Sequence, residues 1–143
     1  MAEPIDTRFL ETLVGYNARR AAVAIIGVFL QRMAPYGLRP VDFSVLSVIT
    51  HNPGITSRQL CSTLSILPPN LVGLINTLEK RALIERKPHP RDGRAIGLHL
   101  TVEGEKLMVA AEKTVAKLES EASAQLTATE RKTLIRLLQK VYL

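Results

Sequence analysis

Residues 56–82 read TSRQLCSTLSILPPNLVGLINTLEKRA, and this stretch decides the fold. Thr56 and Gln59 stand three apart, the capping-box spacing in which the hydroxyl accepts from an N–H of the first turn while the glutamine side chain reaches back to the cap N–H. The helix so opened is short, because its apolar positions Leu60 and Leu64 give out at Ser65. A second helix begins at Pro68-Pro69, where missing N–H groups leave nothing unsatisfied in the first turn. Leu71, Leu74, Ile75 and Leu78 carry it at helical spacing to about Ala82. Two helices, about 57–64 and 68–82, joined by roughly three residues have the proportions of a helix-turn-helix. In that motif the second helix enters the major groove with its first residues toward the base edges.

Downstream the period changes. Ile84 and Arg86 alternate, as do Ile96, Leu98 and Leu100 against Gly97 and His99, and the turn-rich Pro88-His89-Pro90-Arg91-Asp92-Gly93-Arg94 lies between them. This pattern predicts a two-stranded hairpin with a long basic tip, placed as a wing beside the helix-turn-helix. Thr101 can cap a long helix to about Ala122, in which Gly104, Met108, Ala111, Val115, Leu118 and Ala122 form a narrow apolar seam. Thr127 and Glu130 make a second capping box before a last helix with Leu134, Ile135, Leu137, Leu138 and Val141 on one side. Upstream, Pro40 opens a helix whose buried side is Phe43, Val45, Leu46, Val48 and Ile49, closed by Asn52-Pro53-Gly54. Before it, Asp6 to Met33 reads as one helix, apolar nearly all round from Ala21 to Leu30 and ended by the proline and glycine residues of 34–40. A helix apolar on all sides needs cover on all sides, which implies a partner subunit.

Charge follows the same division. The chain has 143 residues and a formal net charge of +6. Residues 1–55 and 95–143 each carry a net +1, whereas 56–94 hold seven basic and three acidic side chains, net +4. A basic patch on the helix-turn-helix and hairpin suits a polyanion, with a solvated face as the bland alternative. An enzyme is disfavoured: no Ser/His/Asp set, phosphate-cradling glycine loop or metal cluster is visible, and the chain has only three aspartates. A peripheral membrane protein would need a basic amphipathic helix, but the cations gather around a hairpin. The ten-residue apolar run is too short to span a bilayer and too far along the chain for a secretion signal. One cysteine allows no internal disulfide, so a soluble cytoplasmic protein is expected.

Tyr36-Gly37-Leu38 with Pro40, then Leu83-Ile84-Glu85-Arg86, then Asp92-Gly93-Arg94 followed by Leu98-His99-Leu100-Thr101 and Gly104, resemble the MarR family of bacterial transcriptional regulators. The similarity runs from about Phe9 to Leu138. It implies a mainly α fold with a small β-hairpin wing, a winged helix-turn-helix with N- and C-terminal dimerisation helices. Residues 1–36 and 102–143 would form the dimerisation part and 37–101 the DNA-binding lobe of one interlaced unit. The implied partner is a pseudo-palindromic operator in double-stranded DNA, bound by a homodimer. The implied activity is repression, released by a small ligand such as an aromatic carboxylate; no cofactor and no membrane are implied. A ligand-independent regulator and a thiol-based redox sensor through Cys61 are the alternatives.

Site residues follow from the matching positions. Arg94 matches the wing arginine that enters the minor groove, with Arg91 beside it on the tip. Asp92 matches the acid that orients the wing through an ion pair, although turn chemistry alone would give it a hydrogen bond to its own backbone. Bases are expected to be read by Pro69, Asn70, Val72 and Gly73. This departs from the family's usual Ser or Thr and a basic or polar residue at the position of Gly73, so only Asn70 offers a polar base contact. Ser57 and Arg58 are placed for phosphate. Cys61 stands where a helix-turn-helix usually packs a small alanine, and His51, His89 and His99 lack metal-ligand spacing. For an effector, Arg19 and Arg20 are candidates to meet a carboxylate, with Met33 and Tyr36 as apolar wall; an intersubunit ion pair or solvent is the competing fate of the two arginines.

Overall fold

Nine elements follow one another in a computed structural model that describes residues 2–143; the first residue of the 1–36 segment lies outside the described residues. They are α1 (Val14–Met33), α2 (Pro40–His51), β1 (Ile55–Thr56), α3 (Ser57–Leu64), α4 (Pro68–Lys80), β2 (Ile84–Pro88), β3 (Ile96–Leu100), α5 (Val102–Ala122) and α6 (Ala128–Tyr142). Both capping boxes form: the Gln59 N–H donates to the Thr56 hydroxyl at 3.2 Å, and the Glu130 N–H to that of Thr127 at 3.1 Å. Thr101 caps α5, accepting from the Gly104 N–H at 3.0 Å. Each satisfies a donor that a helix start would otherwise leave unpaired.

Two boundaries and one strand differ from the sequence reading. The first helix begins at Val14 rather than Asp6, because Leu10–Thr12 form a separate 3-10 turn and Leu13 is extended. Local side-chain bonds compete with helix there: the Asp6 carboxylate takes the Arg8 N–H at 3.0 Å, and the Thr7 hydroxyl donates to Glu11 at 2.9 Å. The helix expected to reach Ala82 stops at Lys80. Ala82 adopts a left-handed φ of 58°, with its N–H on the Glu79 carbonyl and the Leu83 N–H on the Leu78 carbonyl. That is a Schellman closure with alanine in the place usually taken by glycine. The hairpin also has a third strand, since β1 pairs antiparallel with β3 (Ile55 opposite Leu98), giving the order β1-β3-β2.

One core joins these elements. Val45, Leu46 and Ile49 of α2, Leu60 of α3, Leu71, Ile75 and Leu78 of α4, and Ile84 and Leu98 of the sheet are buried together with Met33 and Met108. The edge-to-face pair Phe29–Phe43, 6.0 Å between centroids, ties α1 to α2. Asp42 is the one buried charged residue among the described residues. Its carboxylate accepts from the Arg39 N–H, Nε and Nη2 at 2.9 to 3.0 Å, at the start of α2. Burial pushes this carboxyl upward, but the Arg39 hydrogen bonds and the nearby Arg39 and Arg81 charges outweigh it and hold it below 3.8.

The terminal helices are left largely uncovered. Within one chain α1 buries only Phe29 and Met33, α6 buries no residue, and Val23, Ile26, Leu30, Leu134, Ile135, Leu137 and Leu138 stand 40–54% exposed. The expected cover is therefore not supplied by the chain's own core. No single helix is long and apolar enough to cross a membrane; α1 and α2 meet that measure only as a pair bent by 68°, and α2 contributes its apolar side to the core.

Two stability predictions follow from this packing. A Cβ on Gly104 would lie 2.1 Å from the Leu83 carbonyl oxygen, so Gly104→Ala should destabilise the fold by about 2 kcal/mol or more, read by urea denaturation. Because the Asp42 carboxyl is depressed in the folded state, its contribution is intact above its ordinary value of 3.8 and is lost as pH falls below it. Asp42→Asn should lower stability at pH 7 and flatten the acid limb below about pH 4 in denaturation curves taken across pH.

Candidate nucleic-acid interface

Helix α4 turns Leu71, Leu74, Ile75 and Leu78 into the core, and the helical period then forces Pro69, Asn70, Val72, Gly73, Asn76 and Lys80 outward. The sequence-predicted readers Pro69, Asn70, Val72 and Gly73 are all exposed, Val72 at 58%. Pro69, Asn70 and Gly73 line one groove of about 890 Å3 that they share with Arg39, Val41, Ser65 and Thr77. Val72 does not line that groove. Ser57 and Arg58 are exposed on the first turn of α3.

The wing tip is shaped by its own short-range bonds. Asp92 makes no ion pair among the described residues; its carboxylate accepts the Arg94 N–H at 3.0 Å, and its carbonyl accepts the Ala95 N–H at 3.0 Å. The aspartate thus makes the turn bond, two residues on, that turn chemistry gives it. The His89 N–H closes the neck on the Ala95 carbonyl at 3.0 Å, and its Nδ1 accepts the Arg91 N–H at 3.2 Å. Arg91 and Arg94 stand exposed on this tip.

The structure also sorts the seven cations of the basic segment. Arg86 donates to Glu79 at 3.1 Å and to the Asn76 side-chain oxygen at 2.8 Å, which braces β2 against α4. Lys87 pairs with Glu85 at 3.1 Å, and Arg81 is spent on the carbonyls of Tyr36 and Gly37. Arg58, Lys80, Arg91 and Arg94 have no carboxylate partner among the described residues. Four charges on one helix start, one helix end and the wing therefore face solvent uncompensated, which is what phosphate neutralisation requires.

Other predicted positions fall outside this surface. Cys61 is half-buried against the core, the packing role of a small apolar residue. Met33 is fully buried and the half-buried Tyr36 bonds Thr114 at 2.7 Å, while Arg19 and Arg20 are exposed on α1, about 20 Å from Met33 at the rise of an α-helix. These four do not converge within one chain. No group of three or more His, Cys, Asp or Glu residues placed to hold a metal occurs among the described residues. The braces made by Arg81, Arg86 and Asn76 were missed by sequence reasoning, since nothing local marks a cation that serves a partner on another element.

A short helix, an exposed second helix and a cation-tipped hairpin on one core define a winged helix-turn-helix transcriptional regulator. The profile of the MarR family matches residues 36–95. A regulatory protein described for the hcr operon of Thauera aromatica is 32% identical over 130 residues, covering 90% of this chain and 78% of that protein. Among solved structures, the repressor CouR bound to a 23-mer DNA duplex is similar at a TM-score of 0.90 and 34% identity, covering 97% of this chain and 99% of that one. CouR bound to p-coumaroyl-CoA is similar at a TM-score of 0.87 and 32% identity, covering 96% and 97%. The chain belongs to the MarR family.

Arg58→Ala is expected to reduce the slope of log affinity against log salt by about one unit while leaving sequence preference intact, as for a phosphate contact. Arg94→Ala should weaken operator binding without dissociating the protein into monomers. Fluorescence-anisotropy titrations at several salt concentrations, with light scattering on the same samples, check both.

Proposed function

We propose that this regulator is a repressor that binds, as a homodimer, a pseudo-palindromic operator in double-stranded DNA and leaves it when a small aromatic effector binds. The quartet Arg58, Lys80, Arg91 and Arg94, exposed on α3, α4 and the wing without a carboxylate partner among the described residues, is the observation that carries the DNA-binding part. Ser57 and Arg58 hold phosphate, Pro69, Asn70, Val72 and Gly73 meet base edges, and Arg91 and Arg94 serve the backbone and minor groove with Asp92 shaping their turn. With a single amide among the four readers, discrimination leans on the wing and on DNA shape. The open apolar faces of α1 and α6 support dimerisation through residues 1–36 and 102–143, with 37–101 as the DNA-binding lobe. Exposed apolar surface of this extent marks an association site.

The effector is proposed to be an aromatic acid or its coenzyme A thioester, because a similar repressor is solved with p-coumaroyl-CoA. A cleft of about 230 Å3 between α1 and α5 is lined by Arg32, Thr114, Lys117, Leu118 and Glu121; Arg32 is paired with Glu121 across it, which leaves Lys117 as the cation without a carboxylate partner there. Arg19 and Arg20 join Met33 and Tyr36 in one site only if they come from the partner subunit. A ligand there acts by preferring the arrangement of the two lobes that does not fit DNA. Cys61, half-buried and the single cysteine of the chain, packs rather than senses oxidation. The protein carries out no catalysis, needs no cofactor or membrane, and works in the cytoplasm where DNA is accessible.

Selection of duplexes from a random pool by the purified protein tests this reading. The expected result is a two-fold symmetric consensus with half-sites about one helical turn apart, a dimer by light scattering, and release on adding p-coumaroyl-CoA or a simple aromatic acid. Retention of DNA without sequence preference, or a stable monomer, would overturn it.

A further inference from the structure

Tyr36 is held at both of its ends, by α5 on one side and by the end of α4 on the other, a second link between elements that also meet where the Thr101 hydroxyl donates to the Ala82 carbonyl at 2.6 Å. It closes the 3-10 turn Ala34–Tyr36 at the elbow between α1 and α2. Its hydroxyl lies 2.7 Å from the Thr114 hydroxyl on α5. The Thr114 hydroxyl also lies 3.2 Å from the Ala110 carbonyl one turn back on α5. Its carbonyl accepts Arg81 Nη2 at 3.0 Å, and the next carbonyl, of Gly37, accepts Arg81 Nη1 at 2.8 Å.

Arg81 is the residue at which α4 ends, and the Schellman closure around it fixes its backbone to the last turn of that helix. Gly37 has φ +61° and a Cβ there would already touch Arg81 Nη2 at 3.4 Å, so the elbow is shaped to receive the guanidinium. A planar fork with two parallel donors fixes direction as well as distance, which a lysine ammonium does not. Helix α4 is therefore anchored at its C-terminal end to the elbow, and its N-terminal end carries the exposed readers. At 1.5 Å per residue it is a lever of about 20 Å, so a pivot of about 5° at Arg81 moves the Pro69 end by about 1.7 Å. Such a shift exceeds what a base-edge hydrogen bond tolerates. Thr114 at the far end of the chain of bonds also lines the α1–α5 cleft.

We infer that Arg81 is a positioning residue that, through Tyr36, makes the seating of the recognition helix depend on α5 at Thr114. The inference rests on the DNA-binding reading above. It is distinct from that reading, since neither Arg81 nor Thr114 is required to touch DNA.

A double-mutant cycle on operator affinity tests it, using the full chain and the duplex recovered by selection. Arg81→Lys keeps the charge but loses the fork, and Thr114→Val keeps the shape but loses the hydroxyl. Each is expected to lower operator affinity by about fivefold, with the double variant about as weak as Arg81→Lys alone, because both cut one path. Binding to a random duplex and the dimer mass should stay at wild-type values, which general loosening would not allow. Tyr36→Phe, which keeps the carbonyl and loses only the hydroxyl, should reproduce Thr114→Val and guards against a folding defect in that variant. Losses that multiply in the double variant, or Thr114→Val and Tyr36→Phe both binding as wild type, would overturn the coupling while leaving the DNA-binding reading in place. A wild-type chain that prefers no duplex sequence would instead remove both.

Discussion

Burial of four side chains on one face of α4 is the constraint from which the outward chemistry of this protein follows. Leu71, Leu74, Ile75 and Leu78 each gain about 1.5–3 kcal/mol by leaving water, more than any surface contact of the same helix offers. Once they are seated, rotation about the helix axis is settled and the opposite face must carry Pro69, Asn70, Gly73 and Asn76. The core does not choose those residues for their own interactions; it decides only where they point. A helix that reads DNA needs this division, because base edges demand a fixed rotation and a face free of packing duties.

Charge is sorted by a similar logic. Seven cations lie between residues 56 and 94, but three of them, Arg81, Arg86 and Lys87, are engaged within the chain. Arg86 and Arg81 brace α4 near its middle and at its end, the first from the wing strand and the second from the elbow after α1. Rigidity of the reading helix thus comes from cations that never leave the protein, while the four without carboxylate partners supply the attraction. Removing a bracing arginine and removing a free one would therefore disturb binding in different ways, the former through geometry and the latter through counterion release.

Much of this was legible in order of residues. The Thr56–Gln59 and Thr127–Glu130 boxes, the Pro68-Pro69 start and the alternation around Leu98 act over three or four residues, and each formed where expected. Errors came where a local rule was overridden. Leu13 broke an otherwise helical run because Asp6 and Thr7 found side-chain partners, and Ala82 took a left-handed turn without the glycine that advertises one. The strand Ile55–Thr56 was missed since two residues carry no period and pair only because β3 lies alongside. At Asp92 the resemblance implied an ion pair and turn chemistry a backbone bond, and the carboxylate accepts the Arg94 N–H.

By itself the sequence determined the order of the helices and the hairpin, the apolar faces, the basic middle and the identity of the side chains on the reading helix, because these depend on period, capping and composition within a few residues. Only the tertiary structure decided which cations are free, that Asp42 is a buried paired acid, and that Tyr36 joins α5 to Arg81 across 45 and 78 positions of chain. Contacts of that span are set by how helices pack in three dimensions, and packing leaves no periodic mark on the residues that happen to meet.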